Sequence, residues 1–273
     1  PSVLVCEGSF HGRTMATLSA TGNRKVRAGF EPLLRGFSRI PFNDLDAVRY
    51  AAKNDPNVVA ILVEPVQGEG GIKIPDAGYL AALREICDEN GWLLMLDEIQ
   101  TGLCRSGKWF AHQHAGIVPD VMTLAKALGN GMPVGACLVN NAASKVFQPG
   151  NHGSTFGGNP LASATALTVL EILERENLAD QAAQSGKLLQ QLLSDALADK
   201  QGVKDIRGMG LLLAVELDRP CGELVMKAAD QGLLINVTAD SVIRLLPPLV
   251  CSESEIREIA IRLIPLVEEF LEV

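Results

Sequence analysis

The sequence predicts an α/β protein, with a mostly parallel sheet flanked by helices and then a small C-terminal α+β domain. Three observations predict this. Short, continuously apolar runs rich in β-branched residues alternate with segments of helical period, the pattern of a sheet covered on both faces. From Asn159 the texture changes to a long stretch of helix formers. The last third returns to short strands around one helix and ends on an amphipathic segment. Together they suggest a large domain over 1–165, then a connecting helix and a small domain over 166–273.

Each element has a local reason. "SVLVC" (2–6) and "NVVAILVE" (57–64) are strands by composition. "DAGYLAALREICDEN" (76–90) places Tyr79, Leu80, Leu83, Ile86 and Cys87 at helical spacing, with Asp76 as the expected N-cap and Gly91 as the stop. "WLLMLD", "VMTLA" and "GACLVN" are further strands. Pro160 follows Asn159 at a first-turn position, where its missing N–H costs nothing. "VKDIRGMGLLLAVELD" reads as strand, glycine turn and strand; "ELVMKAADQG" as a helix; "LLINVT" and "VIRLLPP" as strands. Ser252 and Glu255 form a capping-box pattern for the last helix, in which Pro265 is expected to introduce a kink.

Bulk properties narrow the function. The formal net charge is -8 over 273 residues, which argues against a phosphate-backbone binder. Apolar runs such as "WLLML" are too short to span a bilayer, and no secretory leader is visible. The six cysteines are scattered without a C-x-x-C, as expected of reduced thiols in a cytoplasmic protein.

Three apolar strands each end on a polar group. "VVAILV" delivers Glu64, "WLLML" delivers Asp97 and Glu98, and "VMTLA" delivers Lys126. Ligands of open α/β sheets bind beyond the carboxyl ends of parallel strands. Lys126 is the sole charged residue from Val121 to Val139. A desolvated lysine has a lowered pKa and serves as an imine-forming nucleophile and proton carrier. Lysine plus an acid that keeps a pyridine nitrogen protonated is what pyridoxal phosphate requires. Taken singly, a lysine at a strand exit more often has its ammonium in solvent, and Asp97 could equally cap a loop.

Other constellations are weaker. "GNGMPVG" precedes a strand instead of opening a helix, unlike a dinucleotide fingerprint. His112 and His114 lack a third ligand nearby and read as surface histidines. Asp97 and Glu98 are adjacent on a strand and so face opposite ways, which suits no acid pair. "HGSTFGGNP" could cradle an anion or simply enter a helix.

Six motifs occur in order: "EGSFHGRTMATLSATG" (7–22), "LVEPVQGEGG" (62–71), "LDEIQTGLCRSG" (96–107), "PDVMTLAKALGNGMPVGA" (119–136), "HGSTFGGNPLA" (152–162) and "IRLLPPL" (243–249). Asp97 to Lys126 and Lys126 to Thr155 are each 29 residues apart. Together these motifs resemble class III pyridoxal-phosphate-dependent aminotransferases, most of all the acetylornithine branch of arginine synthesis. The resemblance runs through essentially the whole chain. It implies the PLP-dependent transferase fold type I and a homodimer with shared active sites. The reaction it implies moves the δ-amino group of N-acetylornithine to 2-oxoglutarate, giving glutamate.

The resemblance also implies site residues. Lys126 would form the imine with the cofactor and shuttle the proton, and Asp97 would face the pyridine nitrogen. Gln100 would bond the phenolic oxygen, and Ile99 and Phe10 would pack on the two ring faces. Glu98 belongs to the same cofactor-binding set, as does Thr155, which would donate to the phosphate. Arg13 would take the substrate α-carboxylate, and Ser154 would lie near substrate, with Ser154 and Thr155 reaching across the dimer. Glu69 and Arg244 would form a switch: Glu69 neutralises Arg244 for the ω-amino donor, then frees it for the second carboxylate of 2-oxoglutarate. No metal is implied.

The family's Gly/Ser/Ala phosphate turn would precede "EGSFHGR", where this chain has only Pro1–Cys6. The chain is therefore expected to be a fragment that holds the cofactor poorly. The competing expectations are ornithine, succinylornithine or 4-aminobutyrate aminotransferase, an aminomutase, an inactive PLP-fold fragment and, from a different class, a nicotinamide oxidoreductase.

Overall fold

A computed structural model describes residues 1–141 and 143–272. Its first part runs β1 (Ser2–Cys6), α1 (Met15–Ala20), α2 (Arg24–Arg27), β2 (Phe37–Ile40), α3 (Leu45–Asn54), β3 (Val58–Val63), α4 (Tyr79–Asn90), β4 (Leu93–Asp97), β5 (Val121–Leu124) and β6 (Ala136–Val139). The second part runs α5 (Pro160–Arg175), α6 (Leu178–Leu197), β7 (Val203–Met209), β8 (Leu212–Leu217), α7 (Leu224–Asp230), β9 (Asn236–Thr238), β10 (Val242–Leu245) and α8 (Glu253–Glu272).

The larger sheet has the order β2-β1-β3-β4-β5-β6. All neighbours are parallel except β5 and β6. The mostly parallel sheet is as expected, but β2 is an addition. "FSRI" is short and only half-buried, so it lacks the apolar run that marks β3 and β4. Leu4, Ile61, Leu94 and Leu96 pack with Leu83 and Ile86 of α4 in one buried cluster. Each such leucine contributes about 1.5–3 kcal/mol by leaving water.

The second sheet is antiparallel, in the order β7-β8-β10-β9. Leu189, Leu193 and Leu197 of α6 pack on it together with Leu263 and Val267 of α8. The caps explain several boundaries. Asn159 accepts from the Ala162 N–H at 3.0 Å, and Pro160 follows it. Ser252 and Glu255 bond reciprocally at 2.8 and 3.3 Å. Gly91 ends α4 at φ 65°.

Two local expectations change. The N-cap of α4 is Gly78 at φ 89°, so the helix starts later than Asp76 would place it. The long helical stretch is two helices, because Asn177 turns into the left-handed region at φ 49°. Pro265 lies inside α8, as the sequence placed it.

Candidate active site at the strand ends

The carboxyl ends of β3, β4 and β5 lie side by side, since Val63 pairs with Leu96 and Asp97 with Thr123. That register brings Glu64, Asp97 and Lys126 to one rim. Asp97 is buried. Its Oδ2 lies 2.8 Å from His11 Nδ1, and its Oδ1 accepts the Ile99 N–H at 3.2 Å. The carboxylate is thus held from two sides, and it sets the His11 tautomer with the proton on Nδ1. His11 Nε2 is buried and has no partner among the described residues.

Lys126 opens a single 3₁₀ turn and has φ 42°. The apolar run around it suggests a buried side chain. The residue instead stays open to solvent at the cleft. Protein packed around the ammonium still lowers its pKa, desolvation being the leading cause. The charges of Asp97, Glu69 and Glu64 oppose that shift, and Arg244 adds to it. These five groups therefore share one electrostatic cleft.

Glu64 is fully buried and acts as a clamp. Its Oε2 accepts the Phe10 N–H at 3.0 Å, and its Oε1 accepts the Gly68 N–H at 3.2 Å. Burial raises its pKa to about 7, against the opposing field of His11. Gln67, also buried, donates to the Glu7 carbonyl at 2.8 Å. The loop that carries Phe10 and the loop that carries Glu69 are thereby tied together. Phe10 lies beneath the Arg13 guanidinium, 5.6 Å from ring centroid to Cζ. Gln100 closes against Gly68, where any Cβ would overlap its amide.

Arg244 Nη1 lies 2.7 Å from Glu69 Oε1. Arg244 also reaches Gln100 Oε1 at 3.5 Å and Asn236 Oδ1 at 3.0 Å. The pair is not the free surface ion pair that chance would favour. The Arg244 side chain is only 10% exposed.

Two assigned groups lie elsewhere. Glu98 turns to the opposite side of the strand from Asp97, as strand alternation requires. Its oxygens accept from Thr101 Oγ1 (2.6 Å) and from the Ala111 and His112 N–H groups (both 2.9 Å), and lie 3.1 Å from His112 Nδ1. Glu98 thus organises the loop after β4 instead of facing the cleft. His112 is accordingly buried, not a surface histidine. Ser154 and Thr155 sit on an exposed loop, where Ser154 Oγ accepts the Gly157 N–H at 3.0 Å. That loop and the glycine loop after Lys126 face each other across an open concavity of about 820 Å³.

Sequence reasoning missed the roles of His11, Gln67 and Asn236. His11 lies inside a motif already singled out, so it was within reach. Asn236 gave no local signal; only the pairing of β9 with β10 brings it to Arg244.

A buried carboxylate backed by a histidine, opposite a desolvated lysine, fits the pyridine nitrogen and aldehyde carbon of pyridoxal phosphate. Comparison with known proteins agrees. The family profile described as Aminotransferase class-III matches residues 1–266. The acetylornithine aminotransferase of Nitrosomonas europaea is 54% identical over 272 residues, covering 100% of this chain and 69% of that protein. Acetylornithine aminotransferase 1 of Bordetella pertussis is 51% identical, covering 98% and 68%. The ornithine aminotransferase of Toxoplasma gondii, described with partial occupancy of PLP at its active site, superposes with a TM-score of 0.95 at 40% identity, covering 100% of this chain and 66% of that one. The chain thus spans about two thirds of the length of these relatives. It belongs to the class III aminotransferases, the family whose cofactor is pyridoxal phosphate.

Proposed function

We propose that the protein carrying this chain transfers the δ-amino group of N2-acetyl-L-ornithine to 2-oxoglutarate, yielding N-acetylglutamate 5-semialdehyde and glutamate. The observation that carries the reading is the meeting of Lys126, Asp97 and the Glu69–Arg244 pair in one cleft. The choice of donor rests on the acetylornithine aminotransferases at 45–54% identity.

Pyridoxal phosphate, when bound, supplies the electron sink that makes the δ-carbon acidic. Lys126 Nζ, with its pKa lowered by desolvation, would serve as the base that accepts the proton of that δ-carbon. Asp97, backed by His11, would hold the pyridine N–H. Phe10 and Ile99 would flank the ring, and Gln100 would bond the phenolic oxygen. Arg13 binds the substrate α-carboxylate with a forked guanidinium. Arg244 stays paired with Glu69 while the ω-amino donor is bound, then turns to the distal carboxylate of 2-oxoglutarate. Ser154 and Thr155 serve the site of a second copy in a homodimer, which accounts for their exposure. The two sheets, each with its own core, support a large domain to about residue 165 followed by connecting helices and a small domain.

The test is spectroscopic and uses the complete protein. Pyridoxal phosphate should give an imine band that N-acetylornithine bleaches and 2-oxoglutarate restores. A band indifferent to both would overturn the proposal. The likeness to ornithine aminotransferases favours one alternative donor. A competition assay decides between them: preference for free ornithine over its N-acetyl form would replace the donor while leaving the chemistry intact.

A further inference from the structure

Two arginines outside the cleft join the sheets in opposite directions, and both act beside the Glu69–Arg244 pair. Arg207 belongs to β7 of the second sheet. Its Nε donates to the Ile72 carbonyl at 2.8 Å, and its Nη2 donates to the Gly71 carbonyl. Asp205 and Glu216, each 2.8 Å from Nη1, aim the guanidinium. Arg105 belongs to the loop after β4 of the first sheet. Its Nη1 donates to the Leu211 and Pro247 carbonyls at 2.9 and 2.6 Å. No carboxylate pairs with Arg105 among the described residues. In return, the Leu211 N–H donates to the Arg105 carbonyl at 3.0 Å. The turn between β7 and β8 sits so close that a Cβ on Gly210 would come within 2.5 Å of that same carbonyl oxygen.

The carbonyls chosen matter. Gly71 and Ile72 close the loop whose other residues are Gly68, Glu69 and Gly70, and whose ends are joined by the Gln67–Lys73 bridge. Ile72 is buried at φ 49°, a conformation a β-branched residue avoids unless its surroundings impose it. Arg207 grips that point. On the other leg, Glu64 holds the Gly68 N–H. Pro247 lies three residues beyond Arg244 on the same chain segment. One arginine therefore holds the backbone behind Glu69, and the other holds the backbone behind Arg244.

We infer that Arg207 and Arg105 are positioning residues that set the spacing between Glu69 and Arg244, so that the acceptor's distal carboxylate is admitted by side-chain rotation and not by separation of the two sheets. This rests on the proposed role of the Glu69–Arg244 pair. Guanidinium–carbonyl bonds suit the task because the planar fork can grip neighbouring carbonyls in a fixed geometry.

The experiment compares Arg207→Met and Arg105→Met with wild type in the complete, cofactor-loaded protein. The expected result is a rise of about tenfold in KM for 2-oxoglutarate, with kcat for the N-acetylornithine half-reaction within about twofold, because a misplacement of well under an ångström suffices. Calorimetric binding of glutarate, a dicarboxylate that cannot react, should weaken in parallel, and the visible cofactor band should stay at its wild-type wavelength. A double-mutant cycle of Arg207→Met with Glu69→Gln should be non-additive. Unchanged acceptor KM and glutarate affinity, or an additive cycle, would overturn the inference. If a Met variant fails to fold, Arg207→Lys, which keeps the charge but cannot span both carbonyls, gives the same comparison. Arg244→Ala separates the two layers of argument. If it leaves the acceptor KM unchanged, the gate itself is wrong; if it raises that KM while the positioning variants do not, only the present inference fails.

Discussion

The rim around Asp97 and the loop around Thr155 are both rich in polar and glycine residues, yet the structure treats them in opposite ways. At the rim, Glu64, Gln67, Asp97 and His11 are buried, and each is tied to another loop or strand of the same chain, although His11 Nε2 and Gln67 Oε1 lack a partner among the described residues. In the loop, residues 150–158 are exposed throughout, and Phe156 is 80% exposed. The rim is pre-organised by its own chain and can set the electrostatics of a bound cofactor alone. The loop satisfies little besides its own turn, which fits the service to a second copy proposed above. Substitutions at the rim should therefore cost activity or stability in isolation, and substitutions in the loop should not.

Lys126→Ala is the severest test. Loss of the proton carrier should lower transamination by about a thousandfold or more, and the imine band with pyridoxal phosphate should vanish. A band that survives would remove Lys126 from its role.

Glu64→Gln comes next. It places an amide NH₂ against one of the N–H groups of Phe10 and Gly68, so a hydrogen bond is lost in a buried site. Urea denaturation should show a cost of about 1–3 kcal/mol. Glu64 adds a dependence on pH. Its folded pKa of about 7 lies above the ordinary 4.5, so between those values the folded chain binds more protons than the unfolded one. The resulting stability is fully present below about pH 4.5 and is lost as pH rises through 7. Wild type should lose more stability than Glu64→Gln between pH 5 and 8; equal losses would show that Glu64 does not titrate in that window.

His11→Ala keeps Asp97 but removes its partner at 2.8 Å. Affinity for pyridoxal phosphate should fall about tenfold, the order seen when a group holding a ligand-binding side chain is lost. Fluorescence titration of the cofactor checks this, and unchanged affinity would make the pair merely structural.

The loop should give the smallest effect on the folded chain. Thr155→Val and Phe156→Ala should change unfolding stability by less than about 0.5 kcal/mol, as exposed substitutions do. If the loop serves a second copy, the same changes should weaken self-association in sedimentation experiments. A large loss of stability with no change in association would invert the contrast between loop and rim.

Much of the fold was legible because it is written locally. β3, β4 and β5 are continuous apolar runs, α5 has its Asn159–Pro160 entry, and α8 has its Ser252–Glu255 box. β2 was not legible, because "FSRI" becomes a strand only through its pairing with β1. The long helical stretch split because one asparagine adopts a left-handed conformation, which composition does not reveal. Within the site, Asp97 and Lys126 were readable as polar groups ending apolar strands. The direction of Glu98, away from Asp97 and toward Thr101 and His112, was not readable, because membership of a motif says nothing about which face of a strand a side chain occupies.

The sequence by itself determined the chemistry available to this protein. A lysine and an acid end neighbouring apolar strands, and six ordered motifs place them in one family, because residue type and spacing are local properties. Only the tertiary structure decided what holds those groups. It set His11 beside Asp97, clamped two loops on Glu64, brought Arg244 from the second sheet to Glu69, and reached back across the sheets through Arg207 and Arg105. Such contacts join residues up to 175 positions apart. They depend on strand register, on the docking of two sheets and on backbone strain at Ile72, none of which a linear spacing records.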